Sequence, residues 1–154
     1  MTSRKRPSDS HVTIRKLKKA DATSIARIDK SITKTVSQLD FGLIAREEMK
    51  RALATSFVAE LDGNVVGYMI SYITSGNFGV DRCAWIAMFG VEPKLMGQGI
   101  GKSLAEEVFK FYRAEGVTDV FTTVRWDSTD ILSFFKTLGF DRSNFINLRK
   151  DLDI

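Results

Sequence analysis

The sequence predicts a mixed α/β (α+β) domain in which a sheet is flanked by about four helices. Three observations lead there. A strand, turn and strand signal around Asp62-Gly63-Asn64 gives an antiparallel hairpin. Four stretches with apolar residues three and four apart, two before the hairpin and two after it, read as amphipathic helices. The second hairpin strand, Val65 to Ile73, is apolar or aromatic in both registers, with Val66, Tyr68, Ile70 and Tyr72 against Val65, Met69 and Ile73, so it belongs in the middle of a sheet covered on both faces.

The elements follow in order. His11 to Leu17 sets Val12, Ile14 and the stem of Lys16 against Thr13, Arg15 and Leu17, a first strand. Asp21 is placed to cap a helix whose apolar face is Ala22, Ile25, Ile28 and Ile32. The Ser- and Thr-rich stretch Ser31 to Asp40 is a connection, and Ala45 to Ala54, with Met49 and Leu53 one turn apart, is a second short helix. After the hairpin, Ser75 to Asp81 reads as a loop around Gly76 and Gly79, leading to a strand from Cys83 to Val91. A helix to about Glu115, a strand Val117 to Arg125, a helix Thr129 to Leu138 and a last strand Phe140 to about Arg149 complete the chain.

A length of 154 residues suits one domain, and 44% hydrophobic with 27% charged residues suits a globular one. No apolar run reaches the ~20 residues of a membrane helix, and the basic start has no apolar stretch behind it, which predicts a cytoplasmic protein without membrane partners. One cysteine, Cys83, and one histidine, His11, exclude a disulfide framework and argue against a metal site and against a Ser-His-Asp triad. The net charge of +4 is uneven: residues 1 to 19 carry seven basic side chains against Asp9, net +6, which leaves 16 basic against 18 acidic in the remainder, net −2. Residues 1–10 therefore read as a disordered basic leader and 11–154 as the folded domain. A slightly acidic body lacks the broad basic stripe of a nucleic-acid platform.

The densest signal runs from Val91 to Leu104, where Gly97, Gly99 and Gly101 stand between a buried strand and a helix whose stripe is Ile100, Leu104, Val108 and Tyr112. Glycine lets the backbone turn sharply and approach a ligand, and the unpaired N–H groups and dipole of a helix start favour an anion, so phosphate is the natural guest. Spacing separates the phosphate motifs. GxxxxGK[ST] requires glycine where Met96 stands, and GxGxxG requires it at Lys102 or Leu104.

Phe89-Gly90-Val91-Glu92-Pro93 followed by Met96-Gly97-Gln98-Gly99-Ile100-Gly101, and Ser133-Phe134-Phe135-Lys136-Thr137-Leu138-Gly139-Phe140 further on, resemble the two signature regions of the GNAT superfamily of N-acetyltransferases over roughly residues 11 to 149. The resemblance implies a twisted, mostly antiparallel sheet with one splayed parallel strand pair, and acetyl-coenzyme A as co-substrate without a metal. It implies that backbone groups of Phe89, Gly90 and Val91 hold the pantetheine arm. The amides from Met96 through Gly97, Gln98, Gly99, Ile100 and Gly101 to Lys102 would hold the pyrophosphate, with Ser128 touching the cofactor and Phe135 near the thioester sulfur.

Three positions depart from the family pattern. Met96 replaces the usual Gln or Arg, Phe135 replaces a tyrosine that protonates the departing thiolate, and Ala87 stands where a glutamate often serves as base. The candidates left for deprotonating the amine are Glu48, Tyr68, Tyr72 and Asp127. Trp85 and Trp126 read as core or cleft wall, and Cys83 as a small buried apolar residue. The expected activity is acetyl transfer to a primary amine on a protein or small molecule by direct attack, in a monomer or homodimer. The alternative is a catalytically silent acyl-coenzyme A-binding or interaction module.

Overall fold

The computed structural model describes residues 11–35 and 37–153, so the leader expected over residues 1–10 lies outside the described residues. The elements are β1 (Val12–Lys16), α1 (Ala22–Thr33), α2 (Phe41–Lys50), β2 (Phe57–Leu61), β3 (Asn64–Asn77), β4 (Val80–Val91), α3 (Ile100–Ala114), β5 (Asp119–Thr122) and α4 (Thr129–Thr137). They fall into two compact units, one through Phe121 and one from Thr122.

In the first unit the strands lie in the order β1-β2-β3-β4-β5. The first four are antiparallel, and β5 runs parallel to β4. Successive strand residues point to opposite faces, so Val58 and Ala59 open two cores. Ile25 and Ile28 of α1 and Phe41 and Ala45 of α2 pack with Val58, Tyr68 and Ile70 on one face. On the other, Ile100 of α3 packs with Ala59, Val66 and Val91. Each fully buried Val, Ile or Phe among them contributes ~1.5–3 kcal/mol.

Asp62 at φ 51° and Gly63 at φ 81° are both left-handed, which makes the β2–β3 connection the two-residue turn whose twist matches its strands. The expected loop Ser75 to Asp81 does not form. Asn77 pairs with Val80, and Phe78 at φ 47° and Gly79 at φ 82° close a second two-residue turn with Phe78 85% exposed. An extra residue interrupts the β3–β4 ladder between Ile70, opposite Met88, and Ser71, opposite Ile86. That residue is Ala87, and it is exposed.

Four other expectations need correction. Asp21 does not cap α1 with its side chain; its carboxylate is buried, held by two 2.8 Å hydrogen bonds from Arg15 and one of 2.7 Å from the Lys18 N–H. The second helix runs Phe41–Lys50 instead of Ala45 to Ala54, because Asp40 caps it by accepting from the Leu43 N–H at 3.0 Å. The strand Val117 to Arg125 shortens to Asp119–Thr122. Residues 140–149, expected as a last strand, form no strand.

The second unit centres on α4. Gly139 at φ 92° donates to the Lys136 carbonyl at 3.0 Å, and the Phe140 N–H donates to the Phe135 carbonyl at 3.1 Å. The Phe135 and Phe140 rings meet at 5.1 Å. This is the left-handed helix stop with its apolar clasp, and it explains why Phe135, Gly139 and Phe140 occur at that spacing. Among the described residues no helix is long and apolar enough to cross a membrane.

Candidate active site

The site is built from the end of β4 outward. Gly90 lies opposite Tyr68, and a Cβ placed on Gly90 would come within 2.9 Å of the Tyr68 ring and 3.0 Å of the Ile32 side chain, so only glycine fits there. The chain leaving β4 is tied down: the Glu92 N–H donates to the Val66 carbonyl at 2.8 Å, and the Glu92 carboxylate meets Arg27 at 3.0 Å. A tight turn, Pro93–Leu95, follows, closed by the Leu95 N–H on the Glu92 carbonyl at 2.9 Å and the Met96 N–H on the Pro93 carbonyl at 3.3 Å.

Gly97 at φ 81° and Gly99 at φ 82° then turn the chain into α3, with Gly99 as a cap that offers no side-chain acceptor. The first intrahelical bond runs from the Ser103 N–H to the Gly99 carbonyl at 3.0 Å. Among the described residues the six amides from Gly97 to Lys102 therefore have no acceptor in the protein. Added Cβ atoms at Gly97 and Gly99 would meet nothing within 4 Å, so the glycines serve backbone conformation and open approach. Gly101 lies inside α3 without a left-handed φ. Buried Ile100, Leu104, Val108 and Tyr112 fix the helix against the sheet. A fixed helix start bearing about half a positive charge and six free donors has the chemistry to receive an anion.

The expected site residues separate into groups. Phe89, Gly90, Val91 and the stretch Met96, Gly97, Gln98, Gly99, Ile100, Gly101 and Lys102 come together in the first unit. The amide of Met96 is not available to a ligand, because Pro93 already accepts from it. Ser128, which precedes α4 without a side-chain cap bond, Phe135 and Asp127 belong to the second unit.

Of the proton-acceptor candidates, Glu48 is 2% exposed, and one carboxylate oxygen accepts from the Thr55 N–H at 2.8 Å and the Ser56 N–H at 2.9 Å. That carboxylate holds the end of α2 to the start of β2 and is no free base. Burial, reinforced by Asp29, pushes the Tyr68 phenol well above its ordinary value, so it stays protonated. Asp127 is exposed and pairs with Arg125 at 2.9 Å, and this hydrogen bond holds its carboxyl below the ordinary range. Tyr72 is 36% exposed beneath the Arg51 guanidinium. Cys83 is buried, which pushes its thiol up, while Trp126 stands in solvent and not in a core. Sequence reading missed the Tyr68–Gly90 approach and the Arg51–Tyr72 stack, which depend on strand register.

The sequence profile described as the acetyltransferase (GNAT) family matches residues 22–140, through both units. The chain belongs to the GNAT acetyltransferase family. A mycothiol acetyltransferase of Amycolatopsis mediterranei is 29% identical over 89 residues, 56% of this chain and 30% of that protein. This chain thus spans under a third of the length of that curated relative. An aminoglycoside N-acetyltransferase solved with CoA shares the fold at a TM-score of 0.78 and 20% identity, covering 95% of this chain and 98% of its own. A ribosomal-protein-alanine N-acetyltransferase from Brucella melitensis biovar Abortus 2308 does so at 0.73 and 17%, covering 93% and 100%. Ala87, exposed at the bulge, and buried Phe135 carry no ionisable group.

Proposed function

We propose that this GNAT protein transfers an acetyl group from acetyl-coenzyme A to a primary amine by direct attack in a ternary complex. The run of six acceptorless amides, 97 to 102, at the start of α3 carries the reading. Pyrophosphate fits it, since several oxygens take several fixed donors at once and nothing crowds Gly97 or Gly99. Backbone groups of Phe89, Gly90 and Val91 would hold the pantetheine arm, with Ser128 and Phe135 assigned to the cofactor by family resemblance. Acetyl-coenzyme A brings the acetyl group as an activated thioester. The residues of this chain bind and orient it.

A thiol pKa of ~8.5 lets the thiolate leave without an acid, which suits a phenylalanine at position 135. An alkylammonium of pKa ~10.4 must lose its proton first. With Glu48 engaged by backbone and Asp127 paired with Arg125, water carries that proton away past Tyr72. We take residues 11–154 as one catalytic domain acting in the cytoplasm as a monomer or homodimer, on a protein amine or a small one, without a metal. Calorimetric titration with acetyl-coenzyme A tests the reading, and no binding at ~1 mM ligand overturns it. The absence of ionisable groups at Ala87 and Phe135 favours a second reading, a silent acyl-coenzyme A-binding module. Coenzyme A release with mixed protein and polyamine acceptors decides between the two.

A further inference from the structure

Four side chains beyond the phosphate loop form a row on one face of the sheet. Tyr72 lies directly opposite Trp85 in the β3–β4 ladder, so the two project to the same side. It is the side that α1 and α2 cover, because Tyr72 follows Ile70 by two residues. Trp85 stacks on Phe121 of β5, centroids 5.1 Å and planes 25° apart. At the other end the Arg51 guanidinium sits over the Tyr72 ring, 5.4 Å from its centroid. Trp85 is two residues along β4 from the exposed bulge at Ala87 and four from Phe89.

Arg51 is the charged member of the row. Among the described residues, Arg15, Arg27, Arg82, Arg125 and Arg149 each face a carboxylate, while Arg46, Arg51, Arg113 and Arg142 do not. Arg51 faces an aromatic ring, and among the described residues it has no ion pair. Its place is fixed from below. The Arg51 N–H donates to the Glu48 carbonyl at 3.2 Å while the Glu48 carboxylate grips Thr55 and Ser56, so the connection carrying Arg51 is tied at both ends by one buried residue.

We propose that this row is the acceptor subsite, and that the acceptor is a primary amine that also bears an oxyanion, a carboxylate or phosphate, held by Arg51. The proposal rests on the acetyl-transfer reading and names its substrate class. A guanidinium held over a ring without a carboxylate partner has N–H groups available for the two-pronged bond it makes best with an oxyanion. On β3 the partners of Trp85 and Phe89, Tyr72 and Met69, stand three residues apart, about 10 Å, so the row and the reacting end of β4 lie within reach of one extended acceptor. The slightly acidic charge of the body, which favours cationic acceptors, is thus countered locally.

The test uses the full chain saturated with coenzyme A, titrated calorimetrically with two matched pairs. Nα-acetyl-lysine and its amide differ by a carboxylate; tyramine phosphate and tyramine differ by a phosphate. The anionic member of one pair should bind about tenfold tighter, and the pair that responds names the anion. Arg51→Gln should erase the difference within the responding pair, and Arg51→Lys should keep part of it. Equal binding within both pairs, no binding of any member, or a preference that survives Arg51→Gln overturns the proposal while the transferase reading stands. Failure of coenzyme A itself to bind removes both, and the first titration shows it.

Discussion

Gly97 and Gly99 before α3 and Gly116 after it adopt nearly one backbone conformation, φ 81°, 82° and 76°. Their neighbours have opposite fates. After α3, the Gly116 N–H donates to the Arg113 carbonyl at 3.1 Å and the Val117 N–H to the Tyr112 carbonyl at 2.9 Å, a helix stop in which the freed groups bond each other. Before α3, six amides in succession have no acceptor in the protein. A left-handed glycine by itself therefore marks nothing functional. What distinguishes a binding turn from a structural one is whether the donors it exposes are used. Elsewhere the fold supplies its own anions to such donors: Glu48 to Thr55 and Ser56, and Asp21 to Lys18.

The largest test of this contrast pairs two substitutions. Gly99→Val and Gly116→Val should each lower stability by about 1–2 kcal/mol through the left-handed φ, seen as similar shifts in thermal melting. Only Gly99→Val should also weaken acetyl-coenzyme A binding, by about two to four orders of magnitude, as two charge-assisted bonds are lost. Equal affinities in calorimetry would erase the distinction between the two turns. Next in size, Glu48→Gln weakens an anion on two buried amides and should cost about 1–3 kcal/mol in denaturant unfolding. The pH profile of kcat should not move; a shifted profile would return Glu48 to the list of bases.

A smaller effect depends on pH. Burial works against ionising Asp21, but the Arg15 and Lys18 hydrogen bonds prevail and hold its carboxyl below the ordinary value. A depressed folded-state pKa means stability that is full above the unfolded pKa of ~3.9 and lost as pH falls through the folded one. The deficit of Asp21→Asn, about 1 kcal/mol at neutral pH, should therefore shrink only below about pH 4 in unfolding curves. Smallest of all, Met96→Arg adds a charge beside the amides proposed to hold the phosphate, so affinity should be equal or a few-fold tighter.

Local chemistry made the donor site readable in the sequence. The end of an apolar strand, alternate glycines and an apolar helix stripe all lie between Val91 and Tyr112. The Asp62-Gly63 turn was legible for the same reason, as both residue types accept a left-handed φ. The Phe78-Gly79 turn was not, because an aromatic rarely stands at such a φ, and a loop was expected in its place. The role of Glu48 was hidden because its partners are backbone groups that a helix and a strand bring together. The last strand, expected over Phe140 to Arg149, is absent because alternation of side chains does not by itself specify a backbone ladder.

The approach of Tyr68 to Gly90 makes two positions inherit as one. With 2.9 Å between the ring and any new methyl, no larger residue can settle at position 90 until the ring at 68 has shrunk, and shrinking it first leaves a hole beside Ile32. Each single step is penalised, so Gly90→Ala and Tyr68→Leu should offset one another when combined. Across descendants of this chain, the lip of the donor site changes by paired substitution or not at all.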